Sequence, residues 1–127
     1  MESTAYSRQD LETAIVHIGI GAFHRGHQAV YTDLSNEAAG TRWGIFGINL
    51  FGSADVVEAL NAQHGLFTVV ERSSHATLCR QVRSLTGALH TPLSGIQAAI
   101  EKLIEPQVKI VSLTVTEKGY CTDPQSR

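Results

Sequence analysis

Residues Ile15–Gln28 read Ile-Val-His-Ile-Gly-Ile-Gly-Ala-Phe-His-Arg-Gly-His-Gln. A short apolar run ends in two glycines one residue apart, and a segment with helical spacing follows at once. A strand that turns into a helix over glycines presents backbone N–H groups, and the positive end of the helix dipole, to an anion. The usual occupant of such a turn is a pyrophosphate, so the stretch predicts a dinucleotide-binding fold. The dinucleotide fingerprint calls for a third small residue three positions after Gly21; His24 stands there, and Gly26 comes two residues late. Glycine also serves strand-to-helix turns simply because φ is positive. The pattern alone therefore leaves a plain turn open as the other reading.

The chain of 127 residues is long enough for one domain with a core, and its net charge of −2 comes with no basic cluster, which argues against nucleic acid as the main partner. No apolar run approaches the roughly 18 residues of a membrane span. Met1–Asp10 is polar and lacks the hydrophobic core of a secretory signal, so residues 1–12 are expected to form a flexible leader. Cys79 and Cys121 form no Cys-x-x-Cys pair and no metal spacing, and two free thiols fit a reducing, cytoplasmic setting.

Apolar segments alternate along the chain. Residues 14–18 suit a buried parallel strand, and residues 25–39 suit a helix with Val30, Leu34 and Ala38 on one face, stopped by Gly40. Residues 43–50 form a second strand. Ser53 caps a helix with Val56 and Leu60 on its apolar side. Residues 66–71 read as a third strand and residues 75–89 as a further strand or hairpin arm. Thr91-Pro92 opens a helix whose core face is Ile96, Ile100, Leu103 and Ile104, ended at Glu105-Pro106. Residues 108–116 make the last strand. This order predicts an α/β fold: the first half of a Rossmann-type doubly wound, mostly parallel sheet, with a small strand insert around 75–89. Right-handed crossovers place the strands in the order third, second, first, last. The crevice between the first and last strands is then the topological switch point, where ligands bind, and both the Gly19–Gly21 turn and residues 116–120 fall beside it.

Gly19-Ile20-Gly21-Ala22-Phe23-His24-Arg25-Gly26-His27 meets every fixed position of the form Gly-x-Gly-x-Phe-x-Arg-x-His. It resembles the amino-terminal turn of the long-chain mannitol dehydrogenase family, which includes mannitol 2-dehydrogenase and fructuronate reductase (D-mannonate oxidoreductase). Val111–Tyr120 resembles that family's fourth strand and its exit, and Gly44, Asn49 and Leu50 look like the fructuronate reductase branch. The resemblance implies an NAD-dependent oxidoreductase, needing no metal, that interconverts a polyol or aldonic acid with a ketose or keto-uronic acid. It implies that Gly19, Gly21, Phe23 and Arg25 line the pyrophosphate turn and that Thr116, Glu117 and Lys118 lie beside the cofactor. On chemistry, Arg25 can add a charge-assisted contact to phosphate or be a solvated charge. Phe23 is either a core plug or a cofactor contact. His17 is read as a satisfied core histidine, and His24 and His27 as structural. An acid is expected to meet the ribose at the end of the second strand. Asn49 stands there; it can bond a 2′-hydroxyl but does not repel a 2′-phosphate. No arginine follows until Arg72, so NAD is favoured over NADP.

The family's catalytic Lys-x4-Asn-x2-His motif belongs to a helical carboxyl-terminal domain. None of Lys102, Lys109 and Lys118 starts such a motif. Residues 13–127 are therefore expected to be a partial NAD-binding domain with no catalytic residue, the sugar or sugar-acid substrate being held by a domain absent here. An apolar last strand left without a neighbour is expected to promote self-association. Two other readings stay open: a non-catalytic nucleotide-binding module, and a relative in fold that binds no nucleotide.

Overall fold

The computed structural model describes residues 2–3 and 8–115. In chain order the elements are β1 (Glu2–Ser3), a 3-10 turn (Arg8–Asp10), β2 (Glu12–Ile18), α1 (Ala22–Gly26), α2 (Gln28–Ala39), β3 (Trp43–Asn49), α3 (Asp55–Ala62), β4 (Phe67–Arg72), β5 (Thr77–Val82), β6 (Leu85–His90), α4 (Thr91–Ser94), α5 (Ile96–Leu103) and β7 (Ile110–Leu113). The main sheet has the order β6-β3-β2-β7 and every pair in it is parallel. The strand order expected from right-handed crossovers is thus present, with β2 and the edge strand β7 flanking the switch point.

One strand assignment is corrected. Residues 66–71 do not supply the third strand of the main sheet; Phe67–Arg72 instead pairs antiparallel with Thr77–Val82. The insert is therefore this hairpin, over 67–82 rather than 75–89, and Leu85–His90 is the third parallel strand. The burial explains it. β4 alternates half-buried and exposed positions, as an arm of a one-sided hairpin does, whereas β6 buries Leu85, Ala88 and His90. Part of the stretch expected to be a leader joins the hairpin: Glu2–Ser3 pairs in parallel with Arg80–Gln81, and the Arg8 guanidinium donates to the Leu85 carbonyl at 2.8 Å.

Two apolar layers sandwich the main sheet. On one face Ile15, Ile20, Ala29, Val30, Ile45, Val57, Leu60 and Leu85 pack under α2 and α3; on the other Val16, Ile48 and Ala99 pack under α5. Two side-chain amides, that of Asn36 buried, fasten the helices. Asn36 donates to the Trp43 carbonyl and accepts from the Trp43 N–H, both at 2.9 Å, across the turn at Gly40, whose φ is +66°. Asn61 makes the same two-way bond with Ala88.

The helices are shorter than their apolar spacing predicts. The first breaks at His27 into α1 and α2, and its inward residues include polar Asp33 and Asn36 while Ala38 is exposed. The last breaks at Gly95, whose φ of +89° interrupts the helix between α4 and α5. Ala99, not the isoleucines, is the buried residue of α5; Ile96, Ile100 and Ile104 face outward. On β7, Ile110, Val111 and Leu113 are exposed as well.

Close packing of β3 sets the tolerance of the sheet. A Cβ on Gly44 would stand 2.7 Å from the Glu12 carbonyl oxygen and 2.6 Å from Thr86 Cγ2. The backbone oxygen cannot swing aside, so Gly44→Ala is expected to destabilise the domain by about 1–3 kcal/mol in urea unfolding. An unchanged midpoint would show that β2 and β3 are not held in this register.

Candidate cofactor site

The site is built where β2 ends. Gly19 takes φ +100°, a conformation that L side chains rarely adopt, and its N–H donates to the Ile48 carbonyl at 2.8 Å. The next N–H, of Ile20, donates to Asn49 Oδ1 at 2.7 Å. Both contacts tie the turn to the end of β3. Gly21 is then the N-cap of α1, with φ −90° and no side-chain cap hydrogen bond. The first helical N–H groups have no intrahelical acceptor. A Cβ on Gly21 would meet nothing within 4 Å. Neither φ nor crowding by the described residues calls for glycine there; open space in front of uncapped N–H groups suits the close approach of a diphosphate.

Of the residues singled out in the sequence, Gly19, Gly21, Phe23, Arg25 and Asn49 gather around this turn. Arg25 Nε donates to the Gly21 carbonyl at 3.2 Å, which keeps the guanidinium beside the turn. Phe23 is 64% exposed and stacks on His27 with ring centroids 4.2 Å apart. That excludes its reading as a core plug. The His27 ring also bonds the Phe23 carbonyl through Nδ1 at 2.7 Å. Thr116, Glu117 and Lys118 lie outside the described residues, as does Cys121.

Two histidines form the underside of the turn. His17 on β2 is buried and both its ring nitrogens are satisfied, by Ser112 Oγ and Thr114 Oγ1, each at 2.8 Å. It thereby bonds the first strand to the last. The His24 ring lies over it, 3.9 Å away and 14° from parallel. The residue at the third fingerprint position is therefore a flat ring that fills the space between helix and strand, where glycine would bring them into contact. His24 is 1% exposed, and among the described residues neither ring nitrogen makes a hydrogen bond of good geometry, Gln28 being the polar side chain beside it. Burial, and then the neighbouring His17 and Arg25, push its pKa down to about 3. Burial also lowers that of His17. Both rings line a depression of ≈ 300 Å³ with Phe23, Gln28 and Ser112–Val115, at the mouth of the β2/β7 crevice.

The sequence reading missed two contacts. The Asn49 clamp on Ile20 has a signal, an amide at the end of a strand beside a glycine turn, but only the register of β2 against β3 shows which N–H it reaches. The loop after β3 is also tied: His90 Nε2 donates to the Gly52 carbonyl at 2.9 Å. It carries Phe51, 81% exposed.

A parallel sheet with an uncapped glycine turn at its switch point defines a Rossmann-type domain. Comparison with known proteins gives the family. The family profile described as the mannitol dehydrogenase Rossmann domain covers residues 13–126, and the chain belongs to that family. D-mannonate oxidoreductase of Escherichia coli is 42% identical over 124 residues, which are 96% of this chain and 26% of that protein. The uncharacterized oxidoreductase YeiQ of the same organism is 48% identical over 119 residues, 94% of this chain and 24% of that protein. The solved structure of Pseudomonas fluorescens mannitol 2-dehydrogenase, a ternary complex with NAD and D-mannitol, superposes with a TM-score of 0.88 at 40% identity, covering 96% of this chain and 25% of that one. The chain thus spans about a quarter of the length of these relatives. No described helix is long and apolar enough to cross a membrane.

The depressed pKa of His24 has a consequence for stability. The unfolded chain takes up this proton below about pH 6.5, while the folded chain holds the ring neutral down to about 3. The contribution is thus complete above pH 6.5 and is lost progressively as the pH falls towards 3. Urea unfolding of the wild type and His24→Phe at about pH 7 and about pH 4.5 should show a smaller acid loss in the variant. Equal losses would mean that His24 does not titrate as its burial requires.

Proposed function

We propose that this chain is the NAD-binding domain of an oxidoreductase that interconverts an aldonate or polyol with a keto-uronate or ketose, of the fructuronate reductase (D-mannonate oxidoreductase) kind. The observation that carries the reading is Gly21: a glycine that, among the described residues, neither φ nor packing requires, fronting N–H groups that no described side chain caps. The NAD in the Pseudomonas fluorescens relative supports the choice of ligand. On this reading Gly19 and Gly21 let the backbone approach the pyrophosphate, Arg25 adds a cation to it, and Phe23 gives an apolar wall. Asn49 meets the adenosine ribose, with Phe51 beside it for the adenine. Thr116, Glu117 and Lys118 complete the nicotinamide side. When bound, NAD supplies the hydride acceptor; the residues named here hold and orient it. Mannitol 2-dehydrogenase is the second reading, favoured by the 40% identity to that enzyme's structure.

On this reading the substrate is held by a further domain of the kind the family resemblance implies; these 127 residues contain no Lys-x4-Asn-x2-His motif. The exposed apolar side chains of β7 and α5 supply the surface through which that domain, or a second copy of this chain, covers the sheet edge.

Calorimetric titration of the purified chain with NADH should give saturable binding, weakened at least about tenfold in Gly21→Val. The same chain should not oxidise NADH with fructuronate or fructose. Absence of binding in the wild type, or undiminished binding in Gly21→Val, would overturn the assignment.

A further inference from the structure

Asn49 has one side-chain acceptor, and the turn uses it. The Ile20 backbone nitrogen can only donate, so the atom 2.7 Å from it is the amide oxygen. That bond fixes which way the amide faces. The NH2 group, with two donors and no acceptor lone pair, takes the other side, and no hydrogen bond to a described residue engages it. An acidic residue at this position would receive hydrogen bonds from ribose hydroxyls and repel a 2′-phosphate. A neutral donor does neither: it bonds a hydroxyl oxygen and a phosphate oxygen alike. Residues 43–54, which include all of β3 and the loop after it, carry no charged side chain. The segment therefore holds no carboxylate to exclude the phosphate and no cation to demand it. The first acids beyond, Asp55 and Glu58, stand on α3 and are exposed.

Resting on the dinucleotide reading above, and against the preference for NAD expected from the absence of a nearby arginine, we infer that the site does not discriminate between NAD and NADP, and that Asn49 is the residue responsible, its oxygen committed to the glycine turn and its NH2 presented to the ribose 2′ position. The two duties are linked. Replacing the side chain changes specificity if one oxygen is kept for Ile20, and weakens every dinucleotide if it is not.

Titration calorimetry of the full chain with NAD and with NADP, for the wild type, Asn49→Asp and Asn49→Ala, tests this. The wild type should bind both with dissociation constants within about tenfold of each other. Asn49→Asp keeps an acceptor for Ile20 and turns a second oxygen to the ribose, so NADP should weaken at least about tenfold relative to NAD. Asn49→Ala should weaken both by the same factor. A wild-type preference of well over tenfold for either cofactor contradicts the inference, and so does an Asn49→Asp ratio equal to the wild type's. If neither dinucleotide binds the wild type, the cofactor reading itself fails, which is a different result from binding with strong preference.

Discussion

The arrangement depends on two hydrogen bonds that carry the chain from β2 into α1. Gly19 N–H reaches the Ile48 carbonyl and Ile20 N–H reaches Asn49 Oδ1. Each joins the turn to the end of the neighbouring strand. They spend the N–H groups of residues 19 and 20 inside the fold, leaving the uncapped N–H groups of the first helical turn as the ones presented outward. The positive φ of Gly19 makes the reversal possible. Without the register of β2 against β3, neither acceptor would be in place.

The same turn explains how the fold accommodates a residue that the dinucleotide fingerprint does not allow. Where a third glycine lets helix and strand touch, His24 stands between them and stacks on His17. His17 in turn holds Ser112 and Thr114 at the end of the last strand. A chain of contacts therefore runs from α1 through two rings to β7 across the switch-point crevice. Its cost is a buried imidazole with neither nitrogen paired among the described residues, which a neutral ring tolerates far better than a charged one. Desolvation is the largest influence keeping it neutral, with His17 and Arg25 adding to it, so structural role and depressed pKa share their main cause.

Much of this was legible in the sequence because the signals were local. The strand-glycine-helix stretch gave the turn, and the alternation of apolar segments gave a parallel sheet with β2 and β7 adjacent. The choice of third strand was not legible, because Phe67–Arg72 has the stronger β-branched composition while Leu85–His90 has the burial; composition reports strand formation, not the sheet a strand joins. The isoleucines of α5 misled in the same way. Their spacing marks an apolar face, but α5 starts after the break at Gly95 and buries Ala99 instead. At the site, Gly21 was readable as a motif position, while the reason for its being glycine needed the empty space around it. The Asn49 clamp needed three dimensions outright, since its partner lies 29 residues away.

The central claim is that the backbone of the first turn of α1, and not merely some part of the domain, receives a diphosphate. Amide chemical-shift mapping of the isotopically labelled chain during an NAD titration tests it residue by residue. The account predicts the largest perturbations at the N–H groups of Gly21, Ala22, Phe23 and His24, with smaller ones at the end of β3. Saturable shifts confined to other parts of the surface, with those four amides unmoved, would contradict it.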